Sequence, residues 1–158
     1  MLQRQLKLRL TSHQEQQVST WLWHLTGVWN WAIKKIEADA NDANGYEGLG
    51  RVSIAAKNYR EAVQFADRGL ELDNNHAGAY YVRGMAMAYL GDFTNSASSL
   101  QKSLELNPNN GYGYYQLGMV QYRQKRYDQT IRNFQKFIEL MPEAPEADQV
   151  KSILRTIR

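Results

Sequence analysis

The sequence contains no cysteine, which excludes disulfide bonds and thiolate metal sites and leaves the redox compartment undecided. Only three prolines occur, a composition typical of helical chains. The 19 basic and 16 acidic residues nearly balance at a net charge of +3, and like charges form no long block. Charge alone therefore does not indicate a nucleic-acid partner.

Long apolar runs are also lacking, so no segment reaches the length that crosses a bilayer. Residues Met1–Leu10 place Arg4, Lys7 and Arg9 among leucines and lack the continuous apolar stretch of a signal peptide. With 43% hydrophobic and 22% charged residues, the composition is that of a globular protein. We expect a soluble, cytoplasmic protein without membrane contact.

What the sequence does contain is an internal repeat, which a shift of 34 residues reveals. Aromatic, glycine, small and aliphatic residues each fall into columns. The columns are Tyr46, Tyr80 and Tyr114; Gly50, Gly84 and Gly118; Tyr59, Phe93 and Tyr127; Ala62, Ser96 and Thr130; Leu70, Leu104 and Ile138; and Leu72, Leu106 and Leu140.

Each repeat has the pattern of two helices. In the middle copy these are predicted over Gly78 to Leu90 and Thr94 to Leu106, with Gly91-Asp92 as the break between them. Asn107-Pro108 then ends the unit, because proline cannot continue a helix. The glycine column predicts a close approach of the first helix to its partner, and the small column is expected to face that contact.

Over Ala43–Ala144 this pattern resembles the tetratricopeptide repeat (TPR) family. The resemblance implies an all-α fold, a right-handed α–α superhelix or solenoid of three helical hairpins at residues 43–76, 77–110 and 111–144. One departure is Arg83, which stands where Leu49 and Leu117 occupy the other copies.

A stack of repeats needs polar ends. Residues 145–158 are predicted to supply a C-terminal capping helix. Its apolar face comprises Ala147, Val150, Leu154 and Ile157, and charged residues cover the other side.

Residues 1–42 differ from the repeats. Leu6, Leu8 and Leu10 alternate with polar residues as in a strand, and Thr11-Ser12 with Glu15 predicts a helix start. The opening Leu6–Leu10 stretch, Thr11–Gln16 and Gly27–Ala32 resemble the N-terminus of OrfB-type insertion-sequence proteins, the transposase-like relatives of RNA-guided nucleases. Their catalytic acidic residues lie far downstream, so we do not carry that activity over. The segment is then a transposase-like fusion remnant or a selected part of the protein.

The end of this segment matches a second helix of the repeat, since Val28, Ala32 and Ile36 precede Ala62, Ala66 and Leu70 by one period. We therefore predict an N-terminal helical cap that ends near Ala38 and breaks or bends at Gly27. For the strand-like start we leave open disorder, helix formation or self-association with another copy.

The sequence contains no recognisable catalytic motif. There is no phosphate-binding glycine loop and no zinc-protease motif, and His13, His24 and His76 are scattered. Glu143 and Glu146 read as loop and cap residues. We predict no enzyme activity, no metal and no cofactor.

The TPR resemblance implies that a protein or peptide partner binds the concave face, which the first helix of each unit lines. We call the residues that the resemblance places there the groove residues. They are Asn44, Glu47, Arg51 and Ile54 in the first unit; Gly78, Tyr81, Met85 and Tyr89 in the second; and Tyr112, Tyr115, Met119, Tyr122 and Arg123 in the third.

Two alternatives accompany this prediction. Some of the tyrosines instead cover seams between repeats. The second alternative is a nucleic-acid-associated protein that uses Arg4, Lys7, Arg9, Lys34 and Lys35 with the tryptophans. Because Arg51 and Arg123 are the only groove cations, we expect a mostly apolar or aromatic peptide and not the C-terminal carboxylate that some relatives clamp.

Overall fold

The computed structural model describes residues 21–157, with side chains from Thr26 onward, and this part of the chain contains helices and no strand. The all-α prediction is confirmed. The helices are α1 (Trp21–Ala38), α2 (Ala43–Ala55), α3 (Tyr59–Leu72), α4 (Ala77–Leu90), α5 (Phe93–Leu106), α6 (Gly111–Arg123), α7 (Tyr127–Leu140) and α8 (Ala147–Thr156). None of these helices combines the length and apolarity that crossing a bilayer requires. The strand predicted at Leu6–Leu10 and the helix start predicted at Thr11–Glu15 lie outside the described residues.

Helices α2 to α7 form three hairpins that stack side by side, each second helix packing against the next first helix. The first helices α2, α4 and α6 also approach one another, whereas the second helices α3, α5 and α7 do not. The stack therefore bends toward its first helices, which form the inner side. The helices of the middle hairpin each begin one residue before the predicted start.

The predicted close approach occurs at the glycine column. A Cβ atom at Gly84 would lie 2.6 Å from Leu100 Cγ, and one at Gly118 would lie 2.5 Å from Phe134 Cδ1. At Gly50 it would lie 2.6 Å from Val82 in the next hairpin. Side chains of the second helix fill the space at Gly84 and Gly118, and a side chain of the next first helix fills it at Gly50, so the hairpins interlock without room for larger residues.

The small column faces this contact, as predicted. Ala62, Ser96 and Thr130 are all fully buried. The Ser96 hydroxyl donates a hydrogen bond of 2.7 Å to the Gly84 carbonyl oxygen, which satisfies a buried polar group at the contact itself.

Local signals set the helix ends. Gly91 adopts a φ of 84°, the left-handed conformation that terminates α4. The Asp92 side chain then accepts a 3.1 Å hydrogen bond from the Asn95 backbone N–H at the start of α5. The hydrogen bonds of this carboxylate lower the pKa of Asp92, those to Asn95 coming first. The residues of the aromatic column, Tyr59, Phe93 and Tyr127, are the first residues of α3, α5 and α7.

Arg83, the departure in the leucine column, bridges two hairpins. Its Nε donates to Asp67 Oδ1 at 2.7 Å, and its terminal NH1 group donates to the Ser99 hydroxyl at 3.1 Å. Polar contacts therefore replace an apolar contact at this seam.

The C-terminal helix α8 packs on the last hairpin with the predicted face. Val150 is fully buried and Leu154 nearly so, and both belong to one buried cluster with Phe134 and Phe137. Ile157 lies just beyond the end of α8 and is half-buried.

The N-terminal helix α1 ends at Ala38 and packs against α2. It runs through Gly27 as one helix, so the predicted break is wrong. A Cβ atom at Gly45 would lie 2.7 Å from Ile36 Cγ1, and one at Gly113 would lie 2.7 Å from Leu104 Cδ2. Because both pairs occupy the same columns of the repeat, α1 packs on α2 as a second helix packs on the following first helix.

We predict opposite effects for alanine at two glycines. Gly84→Ala should lower the free energy of unfolding by about 1–2 kcal/mol, because its methyl group collides with the buried Leu100 side chain. Gly27→Ala should raise it by about 0.5–1 kcal/mol, since nothing lies within 4 Å and alanine favours the helix. Urea unfolding of both variants measures this, and equal effects at the two sites would contradict the interlocking contact.

Candidate functional site

The groove residues all lie on α2, α4 and α6, the helices of the inner side, but their exposure differs. Asn44, Arg51, Tyr89 and Arg123 are exposed, whereas Tyr81 is buried at 9% exposure. The remaining groove residues are half-buried: Glu47, Ile54, Gly78, Met85, Tyr112, Tyr115, Met119 and Tyr122.

At the N-terminal end of the groove, polar side chains form hydrogen bonds and an ion pair with one another. Arg51 Nε donates to Glu47 Oε1 at 2.6 Å, so this cation is paired. His76 Nδ1 accepts from the Ala79 backbone N–H at 3.1 Å, and its Nε2 lies 3.1 Å from Asn44 Oδ1. This pattern fits a neutral imidazole that donates through Nε2. His76 therefore caps the N-terminus of α4.

In the centre of the groove, the Tyr81 side chain lies largely in the hydrophobic core. It packs with Leu100 and Leu117, and the Arg51 guanidinium carbon lies 5.5 Å from its ring centroid. Burial raises the pKa of Tyr81, so the phenol stays neutral at physiological pH. This tyrosine offers a partner little surface of its own.

At the C-terminal end of the groove, most of the groove residues are aromatic. The Tyr115 ring centroid lies 5.2 Å from that of Phe137, and the Tyr112 centroid lies 6.0 Å from the same ring. Met119 packs against the same cluster. Burial raises the pKa of both Tyr112 and Tyr115, and the nearby Glu146 carboxylate raises each further. These half-buried rings form a wall backed by rigid core residues.

Glu146 is a residue of this wall that the sequence prediction missed. Its Oε2 accepts a 3.3 Å hydrogen bond from the Tyr112 hydroxyl, and its side chain makes no capping bond to α8. Glu146 continues the column of Asn44, Gly78 and Tyr112 by one more period. Extending the 34-residue shift into the C-terminal segment would have found it, as it would have found Ile153 after Met119.

Two groove residues lie at seams between hairpins. Tyr89 stacks on Tyr59 with ring centroids 4.5 Å apart and an interplanar angle of 13°, although it is 56% exposed. One period later, the Arg123 guanidinium carbon lies 5.8 Å from the Phe93 centroid. The Tyr89 contact is therefore the one expected if a tyrosine covers a seam between repeats. Arg123 makes a comparable contact at the following seam.

Two open depressions lie at the turns between the two helices of a hairpin. One, of about 490 Å³, is lined by residues 125–129, and another, of about 380 Å³, by residues 57–61 and Leu90. The two turns are equivalent positions of the repeat, where Lys57 and Lys125 adopt φ values of 61° and 60°. Such recurrence follows from the shared turn geometry. Among residues 21–157, no group of three His, Cys, Asp or Glu side chains could hold a metal ion.

Comparison with known sequences agrees with the geometry. The tetratricopeptide repeat profile matches residues 77–110, which is the whole middle unit, and a second profile of the same description matches residues 99–132. The chain has a tetratricopeptide repeat fold. In sequence, no curated protein matches this chain.

Solved structures share this TPR fold at low sequence identity. The Arabidopsis OM64 TPR domain aligns with a TM-score of 0.69 and 21% identity, covering 73% of this chain and 95% of that domain. MamA aligns with a TM-score of 0.70 and 24% identity, covering 85% and 73%. The first TPR of Spaghetti (RPAP3), solved bound to the HSP90 peptide SRMEEVD, aligns with a TM-score of 0.68 and 20% identity, covering 75% and 92%.

We predict an energetic coupling between the stacked tyrosines of the first seam. Tyr59→Ala and Tyr89→Ala together should cost about 1 kcal/mol less than the sum of the single variants, because either substitution already removes the stacking. Urea unfolding of the four proteins gives this coupling. The pair Tyr59 and Tyr127, which begin helices two hairpins apart, serves as the control and should be additive. Additivity at Tyr59 and Tyr89 would contradict a seam role.

Proposed function

We propose that this TPR solenoid is a non-enzymatic protein-interaction module that binds a peptide segment along its inner side. The observation that carries the proposal is the row of half-buried aromatic and methionine side chains on α4 and α6. Met85, Tyr115 and Met119 pack against the buried core clusters and remain partly exposed. Tyrosine and methionine suit such contacts, because they offer large adaptable surfaces at modest entropic cost.

The solved neighbours support a peptide partner in general terms. The Spaghetti TPR was solved with a peptide of HSP90, and the yeast Sti1 TPR2B domain is described in a complex with Hsp70. A shared fold does not transfer those partners to this chain.

The groove of this chain favours a different peptide from one captured through its terminal carboxylate. Arg51 already pairs with Glu47 at 2.6 Å, and Arg123 lies against Phe93 at the seam. Neither groove cation is therefore free to bind a carboxylate without giving up an existing contact. We propose a segment with apolar or aromatic side chains, bound through Met85, Tyr112, Tyr115 and Met119.

The nucleic-acid alternative depends mainly on cations outside the described residues. Of its described members, Lys35 lies 3.7 Å from Asp42 and 5.8 Å from the Trp31 ring centroid, so its charge is already engaged. Binding to nucleic acid would weaken steeply with added salt, and binding to an apolar groove would not.

We further propose that residues 1–42 act as the N-terminal cap through α1. Ala32 is fully buried, and Trp31 and Ala32 fill the space beside Gly48. Trp31 nevertheless keeps 46% exposure, and Val28 on the same helix is 39% exposed.

We predict that charge on the inner side abolishes partner binding. The double variant Met85→Lys, Met119→Lys should reduce captured partner by about tenfold or more in a pull-down, because ammonium groups disrupt the apolar contact. Lysine stems can still cover the core, so the fold should survive, as circular dichroism will show.

The matched control places the same two charges on α3 and α5, as Gln64→Lys with Ser98→Lys. Both residues are exposed and occupy one column of the repeat. Partners that the control retains and the inner-side variant loses define the ligand. If both variants retain every partner, the inner side is not the binding surface.

A further inference from the structure

The Glu146 carboxylate differs in its surroundings from Glu47, the other acid among the groove positions. Glu47 is neutralised by Arg51 at 2.6 Å. Glu146 has the Tyr112 hydroxyl as its hydrogen-bond partner at 3.3 Å, and within residues 21–157 no Lys, Arg or His nitrogen lies within 4 Å of it. Within the described part of the chain, the carboxylate at the C-terminal end of the groove therefore has no ion-pair partner.

Aromatic rings surround this charge. Tyr112 accompanies Glu146 directly, and Tyr115 lies close enough for the carboxylate to raise its pKa, after the larger effect of burial. Both phenols stay neutral at physiological pH, so their ring faces retain the negative quadrupole that attracts cations. A carboxylate beside aromatic faces is a combination that favours a Lys or Arg side chain.

The surface beside these groups is apolar. Met119 and Ile153 belong to one column and pack on the same buried cluster, which contains Phe134 and Val150. A bound segment would therefore meet a charged position at Glu146 and an apolar surface next to it.

We propose that the C-terminal end of the groove, formed by Tyr112, Tyr115, Met119, Glu146 and Ile153, binds a basic side chain of an otherwise apolar peptide. The cation pairs with Glu146 and lies against the tyrosine rings, and apolar neighbours contact Met119 and Ile153. This inference rests on the proposed function. It also sets the chain apart from the Spaghetti TPR, whose bound peptide SRMEEVD carries several acidic residues that Glu146 would repel.

Selection from a displayed library of random dodecapeptides tests the proposal with the intact chain. Three proteins are compared: the unchanged protein, Glu146→Gln and Glu143→Gln. The last removes the same charge from an exposed residue of the same loop and serves as the matched control. We expect peptides that combine Lys or Arg with apolar residues to be enriched by the unchanged protein and by Glu143→Gln, and the basic residue to lose its enrichment with Glu146→Gln.

A synthetic version of the most enriched peptide then gives the magnitude. The lysine or arginine peptide should bind about 2–5-fold more tightly than its glutamine counterpart, as one partly exposed ion pair allows, and Glu146→Gln should remove the difference. Enrichment of apolar peptides without a basic residue, or a preference that Glu146→Gln leaves intact, overturns this inference alone. Failure to enrich any peptide overturns the proposed function and this inference with it.

Discussion

At Gly84 and Gly118, the first helix of a hairpin lies so close to the second that a single methyl group would collide with a buried side chain. Leucine and phenylalanine from the second helix fill that space, and the fully buried Ser96 and Thr130 complete the contact. The orientation of each hairpin follows from this approach, because bulkier residues would push the helices apart. At Gly50 the close approach is between neighbouring hairpins, because Val82 of the next hairpin fills the space beside this glycine.

The shape of the inner side depends on this interlocking. First helices that approach one another, beside second helices that do not, bend the stack, and the proposed row of groove residues lies on the first helices. Residues in that row serve the core and the surface together, as Tyr115 does when it packs on Phe137. A binding surface built on such residues is rigid, which lowers the entropy lost when a partner binds.

Periodicity in the sequence predicted the hairpins, the glycine contact and the buried face of α8, because each depends on spacing alone. It did not predict how each groove position divides between core and surface. Tyr81 and Tyr115 share a column, yet Tyr81 is buried to 9% exposure, since the depth of a ring depends on packing with helices distant in sequence. Glu146 was not predicted as a groove residue because it lies beyond the three repeats, in the segment predicted to form the C-terminal cap. Gly27 was expected to break a helix, but an exposed glycine costs only about 1 kcal/mol, which a helix packed on its neighbour tolerates.

The central claim is that each hairpin is stabilised by close packing against its neighbours. At the N-terminal end, α1 stabilises the first hairpin by packing against α2. Thermal unfolding of residues 21–158 compared with residues 43–158 tests it most directly. Removal of α1 exposes the surface beside Gly45 and Gly48 that Ile36 and Ala32 cover. We expect the shorter chain to unfold at a temperature lower by roughly 5 °C or more. Equal unfolding temperatures would contradict the account.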